Sequence, residues 1–318
     1  MSNALVPTIS GNQLSWSALL NNPTRLNTFV ARLAADMLIA DAIFTPAGNI
    51  VQGGALLYDV MLHGSNYSLR DIAQRAPGAE YQITYSDPTR DLATPVDWGS
   101  KVKILDEERS RFDPVVLVNR IIALANTIAR KIDQLALATV EAALSKYSIA
   151  SVSGHNWTTL TTVGPLDAIT PNSQRPTADI ANAALLARAD DLGYKPPDTL
   201  ILHPQEQSSL RIGYGYELPQ VLAAVGIENV RTSMQVTPGT AYVCPSGVAG
   251  LLAFEPVPYG STDVGVPGGG IGSGGKAGLV TEIIPDRESR STWVQSYCVP
   301  AFAVVVPGAI RKITGLAG

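Results

Sequence analysis

The sequence predicts an α+β protein with a flat or elongated body, and three observations predict it. A helical pattern runs without Gly or Pro from just after Asp113-Pro114 to Lys146; strand and helix signals then alternate from Thr177 to Phe254; and the chain returns through β-rich runs between Leu279 and Ile313. With 318 residues, 46% apolar and 16% charged, the chain can bury a substantial core.

Residues 1–52 mix polar turns, Ser10-Gly11-Asn12 and Asn21-Asn22-Pro23, with one helical stretch from Arg25 to Ile39, where Leu26, Phe29, Val30, Leu33, Met37 and Leu38 recur at helical spacing. This reads as an arm carrying a helix. Gly53-Gly54 opens a strand-like run, Ala55 to Leu62, and a second, Lys101 to Leu105, follows after a long excursion. The spacing predicts that these two runs flank and pair at the base of a hairpin. From Glu80 to Asp113, 13 of 34 residues are charged, more than twice the frequency of the whole chain. Such a density fits either a solvated surface hairpin or one that projects from its own subunit and meets complementary charges on a neighbour, where networks of ion pairs contribute more than isolated surface pairs.

Asp113-Pro114 is a helix start, with Asp as N-cap and Pro at the first helical position, where its missing N–H costs nothing. Leu117, Ile121, Leu124, Ile128, Ile132, Leu135, Thr139 and Ala142 then fall at steps of three or four and paint one apolar stripe. A helix of this length spans about 50 Å. A compact globule of this chain length has a radius of gyration of about 20 Å, so the helix crosses the whole body. The alternative is a break near Asn126-Thr127. Residues 148–176 read as loops with a short strand. Thr177 is placed to cap a helix through Leu192, stopped by Gly193; Asp198 to Leu202 reads as a buried strand ending at His203-Pro204. Short helices are expected at Pro204 to Ile212 and Leu218 to Val225, with strands near Asn229 to Met234, Thr240 to Val243 and Gly250 to Phe254. After a Gly-rich break at 260–278 come the runs Leu279 to Ile284, Ser291 to Val299, Ala301 to Val306 and Ala309 to Ile313.

A formal net charge of −4 argues against a protein whose main affinity is for phosphate backbones. Cys244 and Cys298 have no Cys or His beside them, so neither a zinc site nor a disulfide scaffold is expected, and a reducing cytoplasm fits. No signal-peptide pattern and no apolar run of bilayer length is present. Gly270 to Lys276 matches the glycines and lysine of a phosphate-cradling loop. Ala277 replaces the residue that would hold Mg²⁺, and the strand-like residues after it replace the required helix, so a linker is the better reading. His63, His155 and His203 stand at no metal-ligand spacing, and His203 is expected to be a loop or cap residue. Asp106-Glu107-Glu108 and Asp190-Asp191 read as solvated surface. No catalytic residue, cofactor site or metal site is expected.

The order of elements, together with Ala76-Pro-Gly-Ala-Glu-Tyr81, Trp98-Gly99-x-x-Val102-x-Ile104-x-Asp106-Glu107, Ile132-Asp133-x-x-Ala136-Leu137-Ala138, Thr199-Leu-Ile-Leu-His-Pro204, Thr292-Trp-Val and Ile313-Thr-Gly315, resembles the major capsid protein of tailed phages with the Hong Kong 97-type fold. The match is most specific over 76–138 and is similar to capsid proteins from phages of actinobacteria. The resemblance implies an N-terminal arm (1–52), an extended-loop hairpin (53–112), a peripheral domain with a spine helix (113–158 plus 277–300) and an axial domain (159–276 plus 301–318). It implies a shell protein, not an enzyme, forming hexamers and pentamers around double-stranded DNA that it contacts only weakly. A portal, a separate scaffolding protein and minor cement proteins are its expected partners, with assembly in the host cytoplasm and no membrane. Some relatives form a Lys–Asn cross-link; no motif here assigns such a pair. The candidates for contact between subunits are Arg90, Asp91, Trp98, Lys101 and Lys103, charged or aromatic anchors of the hairpin segment. Two other readings are an encapsulin-type compartment shell and an α/β enzyme built on 160–260.

Overall fold

The computed structural model describes residues 39–47, 51, 54–65, 67–68, 70–85, 89–107, 114–165, 167–191, 193–255 and 280–317. The expected helix at Arg25 to Ile39, apart from Ile39 itself, the Asp113 cap and the Gly-rich loop at 270–276 lie outside the described residues.

The chain enters through α1 (Ala40–Ile43) and β1 (Phe44–Pro46), then β2 (Leu56–Val60), β3 (Thr89–Ala93) and β4 (Trp98–Leu105). The long helix α2 runs unbroken over Pro114–Lys146, 33 residues. Asn126-Thr127 does not interrupt it: the Thr127 hydroxyl donates to the Ala123 carbonyl one turn back at 2.7 Å, a bond the helical backbone accommodates. After β5 (Val152–Ser153) come α3 (Pro176–Ala189), β6 (Thr199–Leu202), α4 (Pro204–Tyr214), α5 (Leu218–Ala224), β7 (Asn229–Thr232), β8 (Thr240–Cys244) and β9 (Gly250–Phe254). The tail supplies β10 (Val280–Asp286), β11 (Ser291–Cys298), β12 (Pro300–Ala303) and β13 (Arg311–Thr314).

The described strands form a five-stranded sheet in the order β5-β13-β8-β6-β7, two three-stranded sheets, β1-β9-β12 and β10-β11-β4, and the two-stranded hairpin β2-β3. One expectation is corrected here. The strand ending at Leu105 does not pair with the strand at Leu56: β2 pairs antiparallel with β3, from Leu56↔Ala93 to Val60↔Thr89, whereas β4 pairs with β11 from Trp98↔Cys298 to Leu105↔Ser291. The hairpin is therefore narrower than its sequence boundaries imply. β4 instead belongs to the sheet that α2 packs against, and this sheet joins residues nearly two hundred positions apart in sequence.

The buried line of α2 also differs from the expected stripe. Ile121, Leu124, Ile128 and Ile132 are buried as expected, but toward the C-terminus burial passes to Ala136, Leu137, Val140 and Leu144. Leu135 is only partly buried and Ala142 is exposed. The line advances in steps of four, following the i±4 ridge of the helix, so it slants around the rod as α2 leaves the β4-β11 sheet and reaches Tyr242 and Ile310. Sequence spacing alone cannot distinguish steps of four from alternating three and four where Ala and Leu occur on both faces.

In α3 the cap is corrected as well. Pro176, not Thr177, opens the helix; Arg175 is the N-cap with no side-chain cap bond. The helix stops at Ala189, short of Leu192; Asp191 at φ 48° takes the left-handed position just past its end, and Gly193 is left-handed as well, at φ 70°. His203 is the N-cap of α4, its Nδ1 accepting from Gln205 N at 3.2 Å. β6 is buried at every residue, as its Thr-Leu-Ile-Leu run predicts. Close approach explains Gly250: a Cβ there would stand 2.7 Å from the Ala303 carbonyl oxygen and 2.5 Å from the Phe44 ring.

Candidate functional site

The hairpin base is fastened to the C-terminal end of α2 by one carboxylate. Asp91 Oδ2 accepts from Lys146 Nζ at 2.6 Å, Tyr147 OH at 2.8 Å and Tyr58 OH at 3.2 Å, while Oδ1 accepts from Leu92 N at 2.9 Å. Burial alone would raise this carboxyl, but the four donors outweigh it and hold Asp91 down at about 2. The same contacts, with burial first, push the Tyr58 and Tyr147 hydroxyls above their usual range. Lys146 sits in the last turn of α2, where a cation also complements the helix dipole. Asp91 is thus committed to its own chain on one edge.

The other expected residues divide between two faces. Arg90 makes a 3.5 Å pair with Asp59 across the hairpin, with both side chains mostly exposed; such a pair adds little to stability and leaves the guanidinium open to a neighbour. Trp98 is half-buried at the edge of the main core, with the Lys131 ammonium 4.1 Å from its ring centre. Lys101 and Lys103 stand on the side of β4 turned away from α2, flanking Trp293 of β11 at 4.6 and 5.3 Å from its ring centre. The structure therefore brings Lys101, Lys103 and Trp293 together, places Trp98 and Asp91 along the edge of α2, and leaves Arg90 on the hairpin surface.

Between hairpin, α2 and β12 lies a cleft of about 330 Å³ lined by Asp91, Leu92, Val96, Leu135, Thr139 and Phe302 among others. Leu135, Thr139 and Ala142, the part of the expected stripe that is not in the core, face this cleft. Beyond the hairpin base, the excursion carries side chains in contact with little else in its own chain: Ile72 is 92% exposed, Tyr81 76%, Ile83 67% and Tyr85 64%. Its first turn is tied to the α3–β6 connection, through His63 Nδ1 to the Asp190 carbonyl at 3.0 Å and Tyr67 OH to Asp191 Oδ2 at 2.6 Å.

Sequence reading missed Tyr58, Lys131, Lys146 and Tyr147, the partners that position the site. The one available signal was the Lys146-Tyr147 pair at a helix end, which complements an acidic hairpin. It also missed Asp179, a fully buried carboxylate in the first turn of α3 that accepts from Trp157 Nε1 at 2.9 Å, His155 N at 2.9 Å and His155 Nδ1 at 2.8 Å. Both cysteines are free and buried, and burial pushes each thiol up to about 12. Among the described residues no cluster of His, Cys, Asp and Glu could hold a metal ion, and no helix is long and apolar enough to cross a membrane.

A family model described as phage capsid protein matches residues 89–313, from the returning hairpin strand through α2 and the α/β sheet to β13. The chain belongs to the phage capsid protein family. A search of curated proteins finds no match. Among solved structures, this capsid-family chain is similar to the virus-like particle from Pyrococcus furiosus, with TM-score 0.60 and 10% identity over 91% of this chain and 98% of that one. It is also similar to a structure from Mycobacterium phage Adephagia, at TM-score 0.56 and 11% identity over 87% and 90%. The capsid of the cyanophage P-SCSP1u matches at TM-score 0.55 and 12% identity over 99% and 94%. The α+β fold of this family member is the Hong Kong 97-type capsid fold.

Proposed function

We propose that this chain is the major head protein of a tailed phage, assembling as hexamers and pentamers into an icosahedral shell that encloses double-stranded DNA and catalysing no reaction. The family match across more than two thirds of the chain carries the reading. Physical features agree with it. The net charge of −4 suits a container whose DNA must leave, because strong neutralisation of phosphates would hold the contents. The exposed apolar side chains at Ile72 and Tyr81 to Tyr85 lie on a segment with no core of its own, which fits burial against another copy. Further partners follow from the same reading: a portal, a separate scaffolding protein and minor cement proteins, with assembly in the host cytoplasm. An encapsulin-type compartment would share the fold, and the contents of purified particles separate the two: DNA for a head, enzyme cargo for a compartment.

The proposed contact surface is tested by reversing charge at Lys101 and Lys103 together, alone and with Arg90→Glu. These side chains make no buried bond, and loss of their stacking on Trp293 costs about 1 kcal/mol or less. The expected result is a subunit with near-normal thermal unfolding whose yield of large particles in a sedimentation gradient falls at least about tenfold, since like charges across an interface cost several kcal/mol. Particles formed at the normal yield would remove these residues from the interface.

A further inference from the structure

Asp133 lies in the middle of α2 and is 4% exposed. Its Oδ1 accepts from two backbone N–H groups far away in sequence, Ile39 N at 2.9 Å and Ala40 N at 3.3 Å. Ile39, Ala40 and Ile43 are themselves buried against the core, and α1 leads directly into β1, which pairs with β9. Asp133 therefore ties the segment that leads into β1 to the middle of α2.

Among the described residues no cation pairs with this carboxylate. On α2, Arg130 is exposed and Lys131 turns its ammonium onto the Trp98 ring. The neighbouring Gln134 is bonded to Gln235 of the loop before β8, and both are neutral amides. On α1, Asp41 adds a second negative charge. Burial therefore dominates: it raises the Asp133 carboxyl to about 6, against the lowering effect of the two N–H bonds and with a further raising contribution from Asp41.

The linkage has a definite sign. A carboxyl that binds its proton more tightly when docked than when solvated favours the docked state below its ordinary value, and this contribution is lost as the pH rises through the docked value. The neutral acid keeps a carbonyl-type oxygen that still accepts both N–H bonds. We propose that Asp133 makes the seating of residues 39–43 on α2 proton-linked, tight in weakly acidic solution and loosened at neutral pH, so that this seat is a pH-responsive joint. The ionised carboxylate is relieved when α1 lifts and water reaches it, and the hydrophobic seating of Ile39 and Ile43 opposes that opening.

Hydrogen exchange followed by mass spectrometry on the full-length chain tests this, with protection computed relative to the intrinsic rate at each pH. Peptides covering residues 39–46 should lose protection by up to about 100-fold between about pH 4 and pH 7. Peptides from β6 and β8 should not change over the same range. Asp133→Asn, which keeps the acceptor oxygen without the charge, should abolish the slope. A flat wild-type profile, a slope shared by the β6 and β8 peptides, or a slope kept in Asp133→Asn would each overturn the proposal.

Discussion

Leu124→Asp is expected to prevent folding. Leu124 is 4% exposed in the core formed by α2, α1, β4, β11 and β12. Burying the introduced charge, or forcing it neutral, costs several kcal/mol, and the lost leucine packing adds about 2–5 kcal/mol. Together these are comparable with the total stability of an ordinary domain. The expected outcome is insoluble protein with no particles. Leu124→Met, which conserves volume, should cost less than about 1.5 kcal/mol and leave a soluble subunit. Soluble Leu124→Asp protein with a normal denaturation midpoint would show that this face of α2 is not the core.

Asp179→Ala is expected to cost about 3–5 kcal/mol, because it strips a buried acceptor from three donors at once. Trp157 is fully buried, and its indole N–H would be left without a partner, as would the backbone N–H of His155. The segment 154–157 bonds to the C-terminal residues Thr314 and Leu316, so loosening it loosens the edge of the five-stranded sheet. Thermal unfolding of the isolated subunit measures the effect. Asp179→Asn should recover part of the loss, since its amide oxygen still accepts. If the alanine variant unfolds within about 1 kcal/mol of the parent, the cluster is not the anchor described here.

These two residues also mark the limit of what the sequence reveals. Leu124 was legible because apolar periodicity sustained over a 33-residue helix leaves few alternatives. The short strands β6, β8 and β9 were legible for a related reason: continuous apolar runs bounded by Pro, Gly or Asp mark buried strands. Asp179 was not legible, because a lone Asp in the first turn of a helix is ordinarily a solvated favourable charge. What makes it structural is the arrival of His155 and Trp157 from a preceding loop, which no local pattern announces. The pairing of β4 with β11 was hidden in the same way: register across so long a separation is a tertiary choice, while the hairpin reading needed only neighbouring segments. Of the hairpin-segment residues, Lys101 and Lys103 were recognisable by alternation on a strand. The commitment of Asp91 to Lys146, Tyr147 and Tyr58 required the fold.

The capsid reading is tested most directly by electron micrographs of the full-length chain expressed alone and purified. Large assemblies are expected, closed shells or, without the proposed scaffolding protein, irregular shells and sheets, whose surface resolves into clusters of six or five subunits. A homogeneous population of monomers or small oligomers at high protein concentration, with no shells or sheets of such clusters, would contradict it.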